Sequence, residues 1–150
     1  MSDTTKAKVV LLAEDDSDDR LLVKDAIAES RWEGDLRFVE DGEDLLDYLK
    51  HRGKYSPPAH APRPGLILLD LNMPRKDGRE ALREIKADAE LRRIPVVVFT
   101  TSRADTDISR MYDLGANSFI AKPIQFDALV SVMRVLGQYW FNTVELPAPK

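Results

Sequence analysis

Six polar side chains stand at the ends of short aliphatic runs, where they could assemble a site for chemistry: Glu14, Asp15, Asp70, Thr100, Thr101 and Lys122. Carboxylates about 4 Å apart repel each other by roughly 4 kcal/mol at an effective dielectric near 20, so an acidic cluster requires a proton or a cation. Magnesium prefers oxygen ligands and typically takes one or two carboxylates together with phosphate oxygens. These residue types therefore predict a divalent cation site.

Asp70 is the best placed of these carboxylates to react. It follows the aliphatic run Leu66 to Leu69 directly, so its side chain is expected at the exposed tip of a strand. A carboxylate held against a divalent cation can attack phosphorus and form an aspartyl phosphate, while the metal and Lys122 neutralise the charge that develops. The same physics leaves Glu14 and Asp15 open as nucleophiles.

Several of these residues also have an ordinary structural explanation. Asp16 or Ser17 is expected to cap the first helix, because short polar side chains accept hydrogen bonds from first-turn amides. Thr100 and Thr101 could form a hydroxyl turn or cap the next helix. Lys122 alone would be interpreted as a solvated lysine. The functional interpretation depends on all of them occurring together at strand ends.

Five aliphatic runs predict the strands that position these residues: Val9 to Ala13, Leu36 to Val39, Leu66 to Leu69, Pro95 to Thr100 and Ser118 to Ala121. Five segments with helical spacing alternate with these strands and predict five helices. The first begins near Ser17, the second runs from about Glu43 to Lys50, and the third runs from about Arg79 to Ala87. The fourth is marked by Ile108, Met111 and Tyr112, and the fifth by Phe126, Leu129, Val130 and Met133. This alternation implies a parallel, doubly wound α/β sheet with its site beyond the carboxyl ends of the strands.

Composition limits the remaining classes of protein. The chain has 150 residues, 43% of them hydrophobic, which suffices for one core and is too short for two ordinary domains. It has no cysteine, which excludes disulfides, thiolate metal sites and a cysteine nucleophile. A formal net charge of -4 disfavours nucleic-acid binding. No apolar run is long enough for a membrane span, so a cytoplasmic protein is expected. The proline-rich stretch from His51 to Gly65 is expected to be a surface loop.

In the order of its motifs the sequence resembles the response-regulator receiver family, partners of sensor histidine kinases, over roughly Lys8 to Leu136. The matching motifs are Glu14-Asp15, Leu-Leu-Asp-Leu-Asn-Met-Pro from Leu68 to Pro74, Asp77-Gly78, Thr100 and Lys122-Pro123. The resemblance implies a flavodoxin-like, CheY-like fold of five parallel strands in the order 2-1-3-4-5. It also implies a single receiver domain, with a core of about residues 8–137 and a C-terminal aromatic extension over residues 138–150.

By this resemblance Asp70 is the phosphoacceptor of a signalling protein, not of an enzyme. Glu14, Asp15 and Asp70 would hold Mg²⁺ together with the backbone carbonyl of Asn72. Many receivers carry Asp where this chain has Glu14, so the side chain that would bind the metal is one methylene longer. Magnesium is still expected to bind.

The resemblance places Thr100, Thr101 and Lys122 at the phosphoryl group and Phe119 at the aromatic switch position. Phe119 lacks the hydroxyl of a tyrosine, so any readout through it must depend on packing. The bond between Lys122 and Pro123 is expected to be cis. The added phosphoryl charge is expected to bias the fourth helix and fifth strand between two states.

More narrowly, the proline-bearing loop and the ending Tyr139 to Val144 resemble the single-domain regulators of phytochrome-type photoreceptor kinases. Apolar groups surround more of the last helix than one core-facing stripe can use, which predicts a dimer or partner surface that includes Val132, Leu136, Tyr139, Trp140 and Phe141. The resemblance likewise implies a homodimer. The alternative is that the aromatic tail folds back on its own domain.

Only about a dozen residues follow the fifth predicted helix, so no output domain is expected and the signal would pass through protein binding. One alternative is an aspartyl-phosphate phosphatase or transferase, but that class carries a second acid two residues after the nucleophile, where this chain has Asn72. Another is a flavodoxin-like carrier of flavin mononucleotide. The acidic run Glu14 to Asp19 would repel its phosphate, and the chain has no glycine-rich phosphate cradle.

Overall fold

The strands of this protein form one parallel sheet. The structure is a computed structural model that describes residues 8–32 and 34–147. Within these residues the strands are β1 (Val9–Ala13), β2 (Asp35–Val39), β3 (Leu66–Leu69), β4 (Val96–Thr100) and β5 (Ser118–Ala121). They pair in the order β2-β1-β3-β4-β5, and every neighbouring pair is parallel. The predicted fold class and strand order are confirmed.

The connections between the strands are helical, as the spacing of apolar residues predicts. The helices are α1 (Ser17–Ser30), α2 (Gly42–Lys50), α3 (Gly78–Ala87), α4 (Asp105–Asp113) and α5 (Phe126–Gly137), with 3-10 turns at Gly53–Tyr55 and Leu91–Arg93 and a π-helical turn at Gln138–Thr143. An aspartate caps each of the first three helices, and the capping role expected of Asp16 is confirmed by its bonds to two first-turn amides. No helix in the described part of the chain has the length and apolar character that crossing a membrane requires.

The sheet separates two apolar cores, because successive side chains of a strand point to opposite faces. Leu11 and Ile67 face the cluster that packs under α2 and α3. Leu12 and Leu68 face the cluster that packs under α1 and α5. All four side chains are fully or almost fully buried. The central strands are therefore packed on both faces, and they hold in place the polar residues that follow them in the sequence.

The tail, residues 138–147, packs against the domain at the amino end of the sheet. Phe141 lies edge-on to Trp32 with ring centroids 5.1 Å apart, and it also contacts Gly34 just before β2. The indole N–H of Trp32 donates to a backbone carbonyl of α5. A Cβ on Gly137 would lie 2.5 Å from the Trp32 nitrogen, so this packing requires glycine there.

This packing corrects part of the predicted dimer or partner surface. Leu136 and Trp140 are buried in the α1/α5 core, and Val132 and Phe141 are half-buried against it. Tyr139 remains exposed. The alternative expectation, that the tail folds back on its own domain, therefore describes most of these residues. The last part of the predicted extension, residues 148–150, lies outside the described residues.

Candidate functional site

Backbone hydrogen bonds between strands bring the predicted polar residues to one edge of the sheet. The amide of Asp70 donates to the carbonyl of Ala13 at 3.1 Å, which aligns the ends of β3 and β1. The amide of Lys122 donates to the carbonyl of Thr100 at 2.8 Å, which aligns the ends of β5 and β4. Residues 57 and 22 positions apart in sequence thus become neighbours at the carboxyl ends of the strands, as the fold requires.

Three carboxylates meet at this edge. One oxygen each from Glu14, Asp15 and Asp70 lies within 4.8 Å of the others. Glu14 is 1% exposed and Asp70 is 6% exposed, whereas Asp15 faces solvent. The second carboxylate oxygen of Glu14 accepts a hydrogen bond from the amide of Asp16 at 3.1 Å. The cluster is open on one side, where a ligand can reach it from water.

The last residue of β4, Thr100, contacts the Asp70 carboxylate. The hydroxyl of Thr100, which is fully buried, donates to Oδ1 of Asp70 at 2.7 Å. The amide of Asn72 approaches the same oxygen at 3.4 Å. The Thr100 hydroxyl therefore bonds to Asp70, and this contact explains its position without the turn or helix cap that the sequence left open.

Lys122 supplies the positive charge of the site. Its ammonium forms an ion pair with Glu14, lies 3.7 Å from Oδ2 of Asp70, and lies 3.5 Å from a carboxylate oxygen of Asp19. It also stands 5.9 Å from the centroid of the buried Phe99 ring. The Lys122 side chain is therefore largely shielded from water, which does not agree with the interpretation of Lys122 as an ordinary solvated lysine. The bond that joins it to Pro123, expected to be cis, is not cis, so that prediction was wrong.

Burial governs the protonation of the site. Burial raises the pKa of Glu14 to about 7, although the Lys122 ammonium acts in the opposite direction. Burial also lowers the pKa of Lys122, but the hydrogen bond to Glu14 and the charge of Asp70 outweigh it, so that this pKa is raised overall. The lysine therefore remains charged and acts as the counter-ion of the acidic cluster.

The donor set fits a hard divalent cation. One ammonium faces three carboxylates, so the cluster keeps an excess of negative charge that a divalent cation would neutralise. All the side-chain donors are oxygens, which magnesium and manganese prefer over nitrogen or sulfur. Glu14, Asp15 and Asp70 are the residues that could hold such an ion.

The start of α3 passes directly behind Asp70. The amide of Gly78 donates to the carbonyl of Leu71 at 2.9 Å, and a Cβ on Gly78 would lie 2.8 Å from the Leu71 Cα. The Asp77 carboxylate accepts hydrogen bonds from two first-turn amides and caps the helix. Asp77-Gly78 is thus a tight connection that places the start of α3 against Asp70.

The two other predicted switch residues lie further from the carboxylates. Thr101 is exposed, one residue beyond the hydroxyl that contacts Asp70. Phe119 is half-buried and packs against the core under α2 and α3. Its amide donates to the hydroxyl of Tyr112 on α4 at 3.2 Å. Phe119 therefore joins the edge strand to α4, but it makes no hydrogen bond through its side chain.

Two residues at the start of α1 were not predicted as part of the site. Asp19 is the third carboxylate near the Lys122 ammonium, and the guanidinium of Arg20 donates to the backbone carbonyl of Glu14 at 2.7 Å. Both lie in the first turn of α1, one residue apart. Their sequence signal is weak, because acids are common in the first turn of a helix and a single arginine beside them forms no motif.

Comparison with known proteins agrees with this geometry. The response regulator receiver domain family matches residues 10–134. The chain belongs to this family. The match covers four strands completely, all of β1 but Val9, and nearly all of α5, and the three carboxylates, Thr100 and Lys122 all lie within it.

Individual relatives of this receiver domain are regulators of the same size. It is 41% identical over 149 residues to the response regulator Rcp1 of Synechocystis sp., covering 99% of both chains. A crystal structure of the phosphorylated cyanobacterial phytochrome response regulator RcpA superimposes with a TM-score of 0.87 at 41% identity, covering 95% of this chain and 100% of that one. The Mn²⁺-bound form of Rcp1 gives a TM-score of 0.85 at 41% identity, with 94% and 99% covered.

Proposed function

We propose that this receiver domain accepts a phosphoryl group on Asp70 from a sensor histidine kinase, with Mg²⁺ bound beside it. The observation that supports Asp70 over its neighbours is its surroundings: it is the carboxylate that faces both the Thr100 hydroxyl and the Lys122 ammonium. Glu14 is committed to Lys122 and to the amide of Asp16, and Asp15 faces solvent.

In the proposed step a carboxylate oxygen of Asp70 forms a bond to phosphorus. The bond from phosphorus to a histidine nitrogen of the kinase breaks, and the imidazole keeps the electron pair. Thr100 and Lys122 are placed to donate hydrogen bonds to the phosphoryl oxygens as their charge changes. Thr101, which is exposed directly after β4, would contact the phosphoryl group from the loop that begins there.

The same proposal assigns Glu14, Asp15, Asp70 and the backbone carbonyl of Asn72 to Mg²⁺. When bound, such an ion supplies positive charge that offsets the negative charge of the carboxylate and phosphoryl oxygens. Support comes from the oxygen donor set and from the excess of negative charge in the cluster. The Mn²⁺-bound form of Rcp1 is consistent with a divalent cation in a relative of this chain.

The kinase partner we propose is a phytochrome-type photoreceptor kinase. RcpA is described as a phytochrome response regulator, and this chain matches it over its full length. We also propose that the chain acts as a single receiver domain in the cytoplasm, where such kinases present their phosphohistidine. Its tail, residues 138–147, belongs to the folded unit rather than extending from it.

Phosphorylation would be read through the surface of α4 and β5. Thr100 must turn from Asp70 toward the phosphoryl oxygens, and Phe119 packs beside the strand that carries Thr100. Because Phe119 offers no hydroxyl, its response is a repacking that changes the face formed by α4 and β5. The output is therefore altered protein binding.

We further propose a homodimer whose contact includes the exposed face of α5. Val135 in α5 and Tyr139 in the π-helical turn that continues it are four residues apart and are 62% and 48% exposed. The buried Leu136 and Trp140 would act by holding this face in place. Sedimentation of Val135→Glu with Tyr139→Glu should give a lower mass than wild type, and Leu21→Glu on α1 is the matched control. An unchanged mass would count against this interface.

The phosphoacceptor assignment is tested by phosphotransfer from a histidine kinase that carries labelled phosphate, in the presence of Mg²⁺. We expect label on wild type, none on Asp70→Asn and slow labelling of Lys122→Ala. Asp113→Asn, an exposed aspartate at the end of α4, is the matched control and should label like wild type. Equal labelling of Asp70→Asn and wild type would refute the proposal.

A further inference from the structure

A polar cluster outside the carboxylate site joins the two helices that flank it. The guanidinium of Arg79 in α3 donates to both carboxylate oxygens of Asp107 in α4, from Nε at 3.1 Å and from Nη2 at 2.9 Å. The hydroxyl of Ser102 donates to the same carboxylate at 2.7 Å. We call these three side chains the α3–α4 bridge.

The bridge has the geometry of a strong ion pair. Its two hydrogen bonds are parallel, and the Arg79 and Asp107 side chains are only 22% and 21% exposed. By contrast, Arg52 and Asp47 on α2 make one 3.3 Å contact with side chains 54% and 42% exposed. The hydrogen bonds from Ser102 and Arg79 hold the pKa of Asp107 below its usual value.

The bridge also lies where it can control the acceptor. Ser102 is two residues after Thr100, and Arg79 directly follows Gly78, which packs behind Asp70. The bridge therefore ties together the loops that leave β3 and β4, on either side of the hydrogen bond from Thr100 to Asp70. No side chain caps the first turn of α4, and the hydrogen bonds of Asp107 to Ser102 and Arg79 hold this end of the helix against its neighbours.

We propose that Arg79 and Asp107 are positioning residues for phosphoryl transfer, which act by holding the loop after β4 so that the Thr100 hydroxyl faces Asp70. This inference rests on the proposed function. Donors that are fixed before the reaction contribute most to stabilising the developing charge, and small displacements of them lower the rate. Loss of the bridge should slow phosphorylation without removing any group that contacts the phosphoryl oxygens.

The test measures the rate of phosphorylation of the full chain by acetyl phosphate at saturating Mg²⁺. Asp107→Ala should lower this rate on the order of three- to tenfold, Arg79→Gln similarly, and Asp47→Ala, which breaks the control pair on α2, should leave it unchanged. The distinguishing readout is a double-mutant cycle with Thr100→Ala. In the Thr100→Ala background, Asp107→Ala should have no further effect, because there is no hydroxyl left to position.

Equal rate losses in both backgrounds, or no loss in either, would overturn the inference. Far-UV circular dichroism checks that each variant is folded. If Asp107→Ala unfolds, the same cycle is run with Asp107→Asn, which keeps an acceptor for Ser102 but loses the charge, and the same criterion applies. Wild type that takes up no phosphate refutes the proposed function and the inference together, whereas labelled wild type with an additive cycle refutes the inference alone.

Discussion

The two ends of the sheet are built in opposite ways. At the carboxyl end, Glu14 and Asp70 are buried beside each other and depend on Lys122 for charge balance. At the amino end, the tail covers the sheet with apolar contacts centred on Trp140 and Phe141. Burial of apolar surface stabilises a fold, whereas burial of like charges opposes it. The comparison indicates that the tail stabilises the fold, whereas the crowded carboxylates at the carboxyl end of the sheet destabilise it.

The largest expected effect is at the tail end. Trp140→Ala should lower the free energy of unfolding by about 3–5 kcal/mol, because it removes a large buried ring and leaves a cavity. Tyr139→Ala, next to it but exposed, should cost less than about 1 kcal/mol. Urea unfolding followed by circular dichroism measures both. A loss for Trp140→Ala as small as that for Tyr139→Ala would mean that the tail does not belong to the core.

The second effect is a pH dependence of the free energy of unfolding that arises at the carboxyl end of the sheet. Since the pKa of Glu14 is about 7 in the folded protein, above its ordinary 4.5, the folded state binds this proton more tightly than the unfolded state. The free energy of unfolding of the metal-free protein should therefore fall, by roughly 3 kcal/mol, as pH rises from about 4.5 through 7. Urea unfolding at several pH values measures this slope.

Glu14→Gln is the control for the pH dependence, because it removes the titrating group and should flatten the slope. Lys122, whose pKa is raised, stays charged over this range and should not contribute. Saturating Mg²⁺ should oppose the fall, since a ligand that binds only the folded state stabilises it. A metal-free protein that gains stability over the same pH range would contradict the assignment to Glu14.

The third effect has the opposite sign to the first. Asp70→Asn should raise the free energy of unfolding of the metal-free protein by about 1 kcal/mol near pH 7.5, because one of the crowded charges is removed while the oxygen that accepts from Thr100 is kept. Thermal and urea unfolding measure the change, and Asp113→Asn should shift it by less than about 0.5 kcal/mol. A destabilised Asp70→Asn would mean that its ion pair with Lys122 outweighs the repulsion.

The smallest effect concerns the link between β5 and α4. Tyr112→Phe removes the hydroxyl that accepts from the Phe119 amide, and it should cost about 0.5 kcal/mol because the group is partly exposed. Hydrogen exchange at the Phe119 amide should become faster, while amides in β1 and β3 stay protected. Unchanged exchange at Phe119 would show that this hydrogen bond does not hold the edge strand.

Much of the fold could be predicted from local signals. Continuous aliphatic runs identify buried parallel strands, and aspartates such as Asp16 identify helix starts, because both depend on neighbours a few residues away. The strand ends then predict which carboxylates meet, since parallel strands share one carboxyl edge. The tail was harder to predict. Its apolar surplus indicates burial but does not say whether Trp140 is covered by its own domain or by another chain.

What the sequence determined by itself is therefore the order of elements, the residue types at the strand ends and the family motifs that contain them. The tertiary structure decided how these residues pair. Burial raises the pKa of Glu14 to about 7, and the Lys122 ammonium lies near three carboxylates. The ring of Trp32 packs against the tail, and Arg79 in α3 bonds to Asp107 in α4. These contacts join residues far apart in the chain, so their distances and their exclusion of water exist only once the sheet and helices have packed.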